Sequence, residues 1–239
     1  MATADDHAEI ALGKDPITRA LVRRVTQLGP GGRLASEREL SEELSVSRTA
    51  LRDRVAKLES MGILERRGRL GTFVVGLRPE TVSDVLMLGL MASDLTIESM
   101  VTVRIALERQ AALEAAARTD HVNIAHMAVA VDAMDSSDDG EALRRADISF
   151  HQALFNASGS QALKFFSQVL AQVLSETIQS LELSEDRETM RTVHRQILDA
   201  VRSGDRDSVL KSIDNHFEWL DELIADQSQQ AREPAANGL

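Results

Sequence analysis

Cysteine is absent from the 239-residue chain, proline occurs four times, and no long apolar run is present; each shortage removes a class of protein. Without cysteine there is no disulfide framework and no thiolate metal site. No segment has the uninterrupted apolar length of a membrane span or the layout of a signal peptide, so a cytoplasmic protein with no membrane partner is expected. Beyond residue 76 the only prolines are Pro79 and Pro234, so nothing between them has to break a helix. Positive charge is also scarce. Residues 1–76 hold 13 Lys/Arg against 11 Asp/Glu, a net of +2, whereas residues 77–239 hold 14 against 27, a net of −13. An acidic body repels DNA, so any DNA contact belongs to the amino-terminal part, and the small excess there points to affinity that depends on dimerisation. The length is sufficient for two domains, each with its own core.

What the sequence does carry is concentrated in residues 33–76. Ser36 with Glu39 three residues on forms a capping box, and Glu37 and Glu39 sit where a helix N-terminus favours negative charge. The spacing predicts a helix from Ser36 through Leu40 and Leu44, a turn at Ser45-Val46-Ser47, and a second helix capped by Ser47. In the second helix Leu51, Val55 and Leu58 make an i, i+4, i+7 apolar stripe, leaving Thr49, Arg52 and Asp53 outward with Arg48 at the entry. After Gly62 two strand-like runs, residues 63–67 and 72–75, flank a glycine-bearing turn from Gly68 to Gly71. This is the layout of a winged helix-turn-helix. In such folds the start of the second helix enters the major groove, where Arg48 and Arg52 could each donate two hydrogen bonds to guanine. Arg66, Arg67 and Arg69 in the wing could reach phosphates or a minor groove, with Gly68 allowing close backbone approach. The bland alternative for the wing is a solvated charge cluster on a surface hairpin.

Residues 76–80 read as a junction, because Pro79 disfavours helix just before it. Everything after it is expected to be helical, with helices near 80–92, 96–118, 120–136, 140–157, 160–183, 186–203 and 205–228. The expected organisation is a flexible tail over 1–14, a winged domain over 15–76, a linker over 77–80, an all-helical domain over 81–228 and a tail over 229–239. The fold class is thus mainly α, an amino-terminal winged helix-turn-helix followed by an antiparallel helical bundle. Within the bundle Asp147 and His151 are i,i+4 on one face, and His194 and His216 lie on two later helices that could meet them. One carboxylate and three imidazoles suit Zn²⁺, and would accept Ni²⁺ or Mn²⁺ with water completing the shell. The alternative is a surface or capping pair plus histidines satisfied in the core. Arg104 and Glu108, also i,i+4, could be a helix-surface ion pair.

The run Arg33-Leu34, Ser36-Glu37-Arg38-Glu39-Leu40, Val46-Ser47-Arg48, Leu51-Arg52, Leu58-Glu59, Gly62-Ile63-Leu64 and Gly71-Thr72-Phe73-Val74 resembles the DNA-binding domain of GntR-family bacterial transcription regulators. The resemblance implies DNA-contacting arginines at Arg38, Arg48 and Arg52, with Gly68 in the wing. Ala35 stands where proline is common, and Asp53-Arg54 where glutamate-alanine is common, so that Arg54 could alter what is read. Arg104 and Glu108, Asp147 with Phe150-His151, His194 with Ile197 and Ala200, and His216 resemble the effector-binding (FCD) domain of the FadR-type branch. That resemblance implies a dimeric all-helical sensing domain with metal ligands Asp147, His151, His194 and His216, and a small carboxylate effector held by the metal with help from Arg104. Ser160 stands where asparagine is common, which leaves a polar effector contact from that position in question.

The expected function is an effector-responsive transcription regulator, not an enzyme, whose homodimer binds a palindromic double-stranded operator. A metal-dependent enzyme built on the Asp/His cluster is one alternative, weakened because no general base or nucleophile motif accompanies the cluster. An effector-independent DNA-binding protein is the other.

Overall fold

A computed structural model describes residues 15–94, 97–174 and 186–232, and the chain divides between Asp84 and Val85 into two compact units. Among the described residues the first helix of the first unit is α1 (Pro16–Leu28), which no expectation covered although its start and stop signals are present. The Asp15 carboxylate accepts from Ile17 N at 3.4 Å and from Thr18 Oγ1 at 2.5 Å, and Pro16 occupies a first-turn position where a missing N–H is harmless. Helix α2 (Glu37–Glu43) carries the expected capping box, with Glu39 N donating to Ser36 Oγ at 3.2 Å and Ser36 N to Glu39 Oε2 at 2.9 Å. Helix α3 (Arg48–Ser60) is capped by Ser47, whose hydroxyl accepts from Ala50 N at 3.2 Å. Between them Ser45 adopts a left-handed φ of 54°.

The wing is a two-stranded antiparallel ladder, β1 (Leu64–Arg66) with β2 (Thr72–Val74), paired Leu64 to Val74 and Arg66 to Thr72. Both strands are shorter than the runs expected from sequence, because Gly68–Leu70 closes as a 3₁₀ turn and leaves three paired positions. Leu21, Leu34, Leu40, Leu51, Val55, Leu58, Leu64 and Val74 form the unit's core. The stripe Leu51, Val55, Leu58 therefore faces inward as its spacing requires, each such side chain contributing roughly 1.5–3 kcal/mol on burial.

Helix α4 (Pro79–Met91) crosses the division between the units, and among the described residues six further helices follow: α5 (Ile97–Arg118), α6 (His121–Asp135), α7 (Gly140–Ser158), α8 (Gln161–Val173), α9 (Arg187–Ser203) and α10 (Arg206–Arg232). The expected continuation of α8 to residue 183 lies outside the described residues. Helix α10 runs to Arg232, past the expected end at 228 and into the stretch read as a tail; Gln229, Gln230, Ala231 and Arg232 are good helix formers, and nothing there stops the helix. Asp120, Asp139 and Ser160 cap α6, α7 and α8, and Gly159 and Gly204 end α7 and α9 with φ of 71°.

Helix α5 packs against α7, α8, α9 and α10, and α6 packs on α7 and α9. The core contains Met127, Met134, Leu143, Phe150, Leu154, Met190, Ile197 and Ile213, none measurably exposed. Four of these helices, α5, α7, α9 and α10, each contribute a polar group to the interior: Glu108, His151, His194 and His216.

Candidate functional sites

On the first unit the side chains expected to meet DNA are all exposed: Arg38 on α2, Arg48, Thr49 and Arg52 on the first turns of α3, and Arg66, Arg67, Gly68 and Arg69 in the wing. Arg52 Nε donates to Glu37 Oε2 at 3.1 Å and Arg66 Nη2 donates to Glu37 Oε1 at 3.0 Å, so one carboxylate joins α3 to the wing. Arg66 Nε also donates to Glu59 at 3.1 Å, and Arg38 Nη1 donates to Glu42 at 3.2 Å. The Arg67 guanidinium stands 4.8 Å from the centre of the Phe73 ring and donates to Glu65 at 3.1 Å. Gly68 has φ of 51°, and no atom lies within 4 Å of where a Cβ would stand, so the wing tip is open for backbone approach.

Arg54 corrects an expectation. It is half-buried and donates through Nε to Asp15 Oδ2 at 3.0 Å, tying α3 to the cap of α1 rather than to the DNA-facing surface. Hydrogen bonds from Thr18 and then Arg54 hold the Asp15 carboxyl down to about 2.

In the second unit α7 supplies Asp147 and His151 one turn apart, α9 supplies His194, and α10 supplies His216. The three imidazoles each offer a nitrogen within 4.8 Å of the others. Asp147 Oδ1 lies 3.0 Å from His194 Nε2 and 3.5 Å from His151 Nε2, so all four residues meet. His194 Nδ1 is 2.7 Å from the Met190 carbonyl one turn earlier, which places its proton on Nδ1 and turns the Nε2 lone pair inward. Phe150 stands edge-to-face with His194 at 4.9 Å, and Trp219 flanks His216 at 5.7 Å, so the rings have little room to rotate.

Arg104 and Glu108 are not a surface pair. Glu108 is fully buried and Arg104 nearly so, with Arg104 Nε donating to Glu108 Oε1 at 2.7 Å. Glu108 Oε2 lies 3.0 Å from His151 Nδ1, close enough for charge attraction but without the alignment of a hydrogen bond. The sequence held a signal for this placement. Ala111, Ala112 and Ala115, at i+3, i+4 and i+7 from Glu108, are all buried, and the same stripe traced backwards puts Glu108 on the core face.

Burial works against the ionised carboxyl of Glu108, yet the neighbouring His151 and Arg104 charges outweigh it and hold the group below the ordinary carboxylate range. Burial likewise opposes the Asp147 carboxylate, and the neighbouring His151 charge outweighs it and holds the group well below the ordinary range. Burial also opposes an imidazolium at His151, but Glu108 and Asp147 lift it to about 9. At His216 burial and the nearby imidazoles act together and push it well below the usual range, so it is neutral.

Among the described residues the buried side-chain atoms with no hydrogen-bond partner are Glu108 Oε2, both nitrogens of His151, Nε2 of His194 and both nitrogens of His216. All belong to this cluster. A buried polar atom left without a partner costs about 1–3 kcal/mol, and a divalent cation would satisfy the inward nitrogens together with Asp147. The donor set, three imidazoles and a carboxylate, therefore fits a divalent metal ion. Beside the cluster lies a cavity of about 160 Å³, with Arg104, Asp147 and His151 on its polar side and Leu107, Phe155 and Leu170 among its apolar walls. Ser160 is not part of its lining; its hydroxyl accepts from Leu163 N at 3.3 Å and serves as the cap of α8.

Comparison with known proteins agrees with both halves. Residues 9–74 match the model of bacterial regulatory proteins of the gntR family, and residues 99–232 match the FCD domain. An Escherichia coli (strain K12) protein named as an L-lactate dehydrogenase operon regulatory protein is 30% identical over 228 residues, spanning 90% of this chain and 87% of that protein. The HTH-type transcriptional regulator LutR of Bacillus subtilis (strain 168) is 29% identical over 185 residues, spanning 74% and 84%. Among solved structures, a GntR protein of Streptococcus agalactiae superposes with a TM-score of 0.61 at 20% identity, covering 86% of this chain and 97% of that one, a likeness of fold. No helix among the described residues is long and apolar enough to cross a membrane. With both domain models matched in order along one chain, the protein belongs to the gntR family of bacterial regulatory proteins and is a DNA-binding transcription regulator with a carboxyl-terminal FCD domain.

Proposed function

We propose that the protein is a homodimeric regulator whose operator affinity is set by a small carboxylate effector bound beside a divalent metal ion in the helical unit. The observation that carries this reading is the cluster of unpartnered buried nitrogens on His151, His194 and His216, of which His151 also lines the cavity that Arg104 and Asp147 enter. Asp147, His151, His194 and His216 would hold the ion, and Zn²⁺ is the first choice for this donor set, with Ni²⁺ or Mn²⁺ also accommodated. The metal, when bound, supplies a positive charge at the cavity wall that attracts a carboxylate oxygen. Glu108 holds Arg104 and faces His151 Nδ1, which leaves His151 Nε2 directed toward Asp147. The apolar walls exclude water from the rest of the ligand. That one relative is named for an L-lactate dehydrogenase operon supports a hydroxy acid as the effector class.

In the winged unit Arg38, Arg48, Thr49 and Arg52 read the major groove, while Arg66, Arg67 and Arg69 with the Gly68 backbone engage phosphates or the minor groove. Two such units on a twofold dimer require a palindromic operator. The test is a thermal-shift screen of carboxylic acids, with and without chelator, on wild type and Arg104→Ala. A binding acid should raise the melting temperature of wild type only while metal is present, and should fail on Arg104→Ala. An acid that stabilises chelated and Arg104→Ala protein equally would contradict the placement of the effector.

A further inference from the structure

Glu37 opens α2, where a negative charge favours the helix N-terminus. Its two oxygens are engaged elsewhere. Oε2 accepts from Arg52 Nε and Oε1 accepts from Arg66 Nη2, at 3.1 and 3.0 Å. The Glu37 side chain is only 24% exposed, whereas those of Arg52 and Arg66 are 66% and 51% exposed, so the carboxylate lies beneath the two guanidinium groups and holds them side by side. Burial opposes its charge, but Arg52 and Arg66 keep its carboxyl below the ordinary range, and it is ionised at neutral pH.

Two consequences follow for DNA. Sequence-independent affinity comes from cationic side chains neutralising phosphates, and a carboxylate already paired with two of those side chains subtracts from it. An arginine anchored through Nε keeps its terminal nitrogens for a bidentate partner and loses less rotational freedom when it meets a guanine edge. We propose that Glu37 is a specificity-determining positioning residue: it counter-charges and orients Arg52 and Arg66 together, lowering affinity for random duplex while preparing Arg52 for a base. The proposal rests on the reading of Arg52 as a DNA contact.

The experiment compares full-length wild type, Glu37→Gln, Glu37→Asp and Arg52→Ala on two probes over a range of salt concentrations. One probe is a random-sequence duplex, and the other is the site that wild type enriches from a random-sequence pool. Glu37→Gln should bind random duplex about three- to tenfold more tightly, the scale of one or two released exposed ion pairs. Its plot of log affinity against log salt should steepen by about 0.9 for each arginine that now meets a phosphate. Its ratio of enriched-site to random affinity should narrow. Glu37→Asp keeps a charge at the start of α2 but is one methylene too short to hold both arginines; it should narrow the ratio with an unchanged melting temperature. An unaltered salt slope and ratio in Glu37→Gln, or a Glu37→Asp variant that matches wild type on both probes, would overturn the proposal. If Arg52→Ala leaves the enriched site bound as tightly as before, the assignment of Arg52 to DNA fails instead, which is a different outcome from either of these.

Discussion

His216→Leu separates a metal-binding cluster from a group of core histidines, because the two readings predict opposite signs. His216 is 1% exposed, neutral, and flanked by Phe217 at 5.0 Å and Trp219 at 5.7 Å, with neither ring nitrogen hydrogen-bonded. In metal-free protein those two nitrogens are each a liability of about 1–3 kcal/mol, and an apolar side chain of similar volume removes both. Allowing for partial relaxation toward water, the gain in the metal-free state should be near the low end, about 2 kcal/mol, or roughly 4–8 °C for a chain of this size. In the metal-loaded state the variant has lost a ligand, so the stabilisation that wild type draws from added Zn²⁺ should shrink or vanish. The assay is differential scanning calorimetry of wild type and His216→Leu, each with chelator and with Zn²⁺. The expected pattern is a crossover, with the variant melting above wild type in chelator and below it in Zn²⁺. If His216→Leu melts below wild type by the same amount in both conditions, the histidine is a packing residue and the metal reading is wrong.

Three further outcomes test separate links. Glu108→Gln should weaken metal affinity about 10–100-fold in competition with a chromogenic chelator, since a buried carboxylate behind a ligating histidine orients that ligand; equal affinity would remove Glu108 from the site. Asp15→Ala should destabilise the winged unit by about 0.5–2 kcal/mol through loss of the α1 cap. Because the Asp15 carboxyl is held down to about 2 in the folded state, its contribution is present above the unfolded value near 3.9 and is lost as pH falls from there toward 2. Asp15→Asn should therefore flatten the acid limb of stability against pH in chemical denaturation, and an unchanged limb would refute the pairing. Arg48→Ala and Arg52→Ala should each cost about 1–3 kcal/mol on the selected site and relax its specificity, whereas loss of Arg66 or Arg67 should weaken all sequences alike in gel-shift titrations.

The features legible in the sequence were those encoded within a few residues of one another. Ser36 with Glu39, and Ser47 before the Leu51, Val55, Leu58 stripe, specify α2 and α3 locally, and the structure places those helices where the caps require. Asp147 and His151 are likewise a one-turn pair. What escaped depends on distant partners. Arg54 meets Asp15 across 39 positions, so its diversion from the DNA-facing surface cannot be inferred from its own helix. Glu37 shows a helix-start charge in sequence, while its bond to Arg66 spans 29 positions and needs the wing to fold back. The alanine stripe puts Glu108 on the core face of α5, but that its carboxylate meets His151 depends on how α5 packs against four neighbours. Helix α1 is a different case: Asp15-Pro16 and Leu28-Gly29 mark its ends, but the conspicuous motif begins after it.

Sensing of a carboxylate by the helical unit on behalf of the winged unit can be read from calorimetric titration of a binding acid into the free protein and into protein saturated with its selected DNA site. Coupling between sites is reciprocal, so an acid that alters DNA affinity must have its own affinity altered by DNA by the same factor, typically equivalent to about 1–3 kcal/mol. Two different affinities are expected for wild type, and no binding of the acid to Arg104→Ala with or without DNA. Identical affinities for wild type with and without DNA, for an acid that does bind, would contradict this coupling.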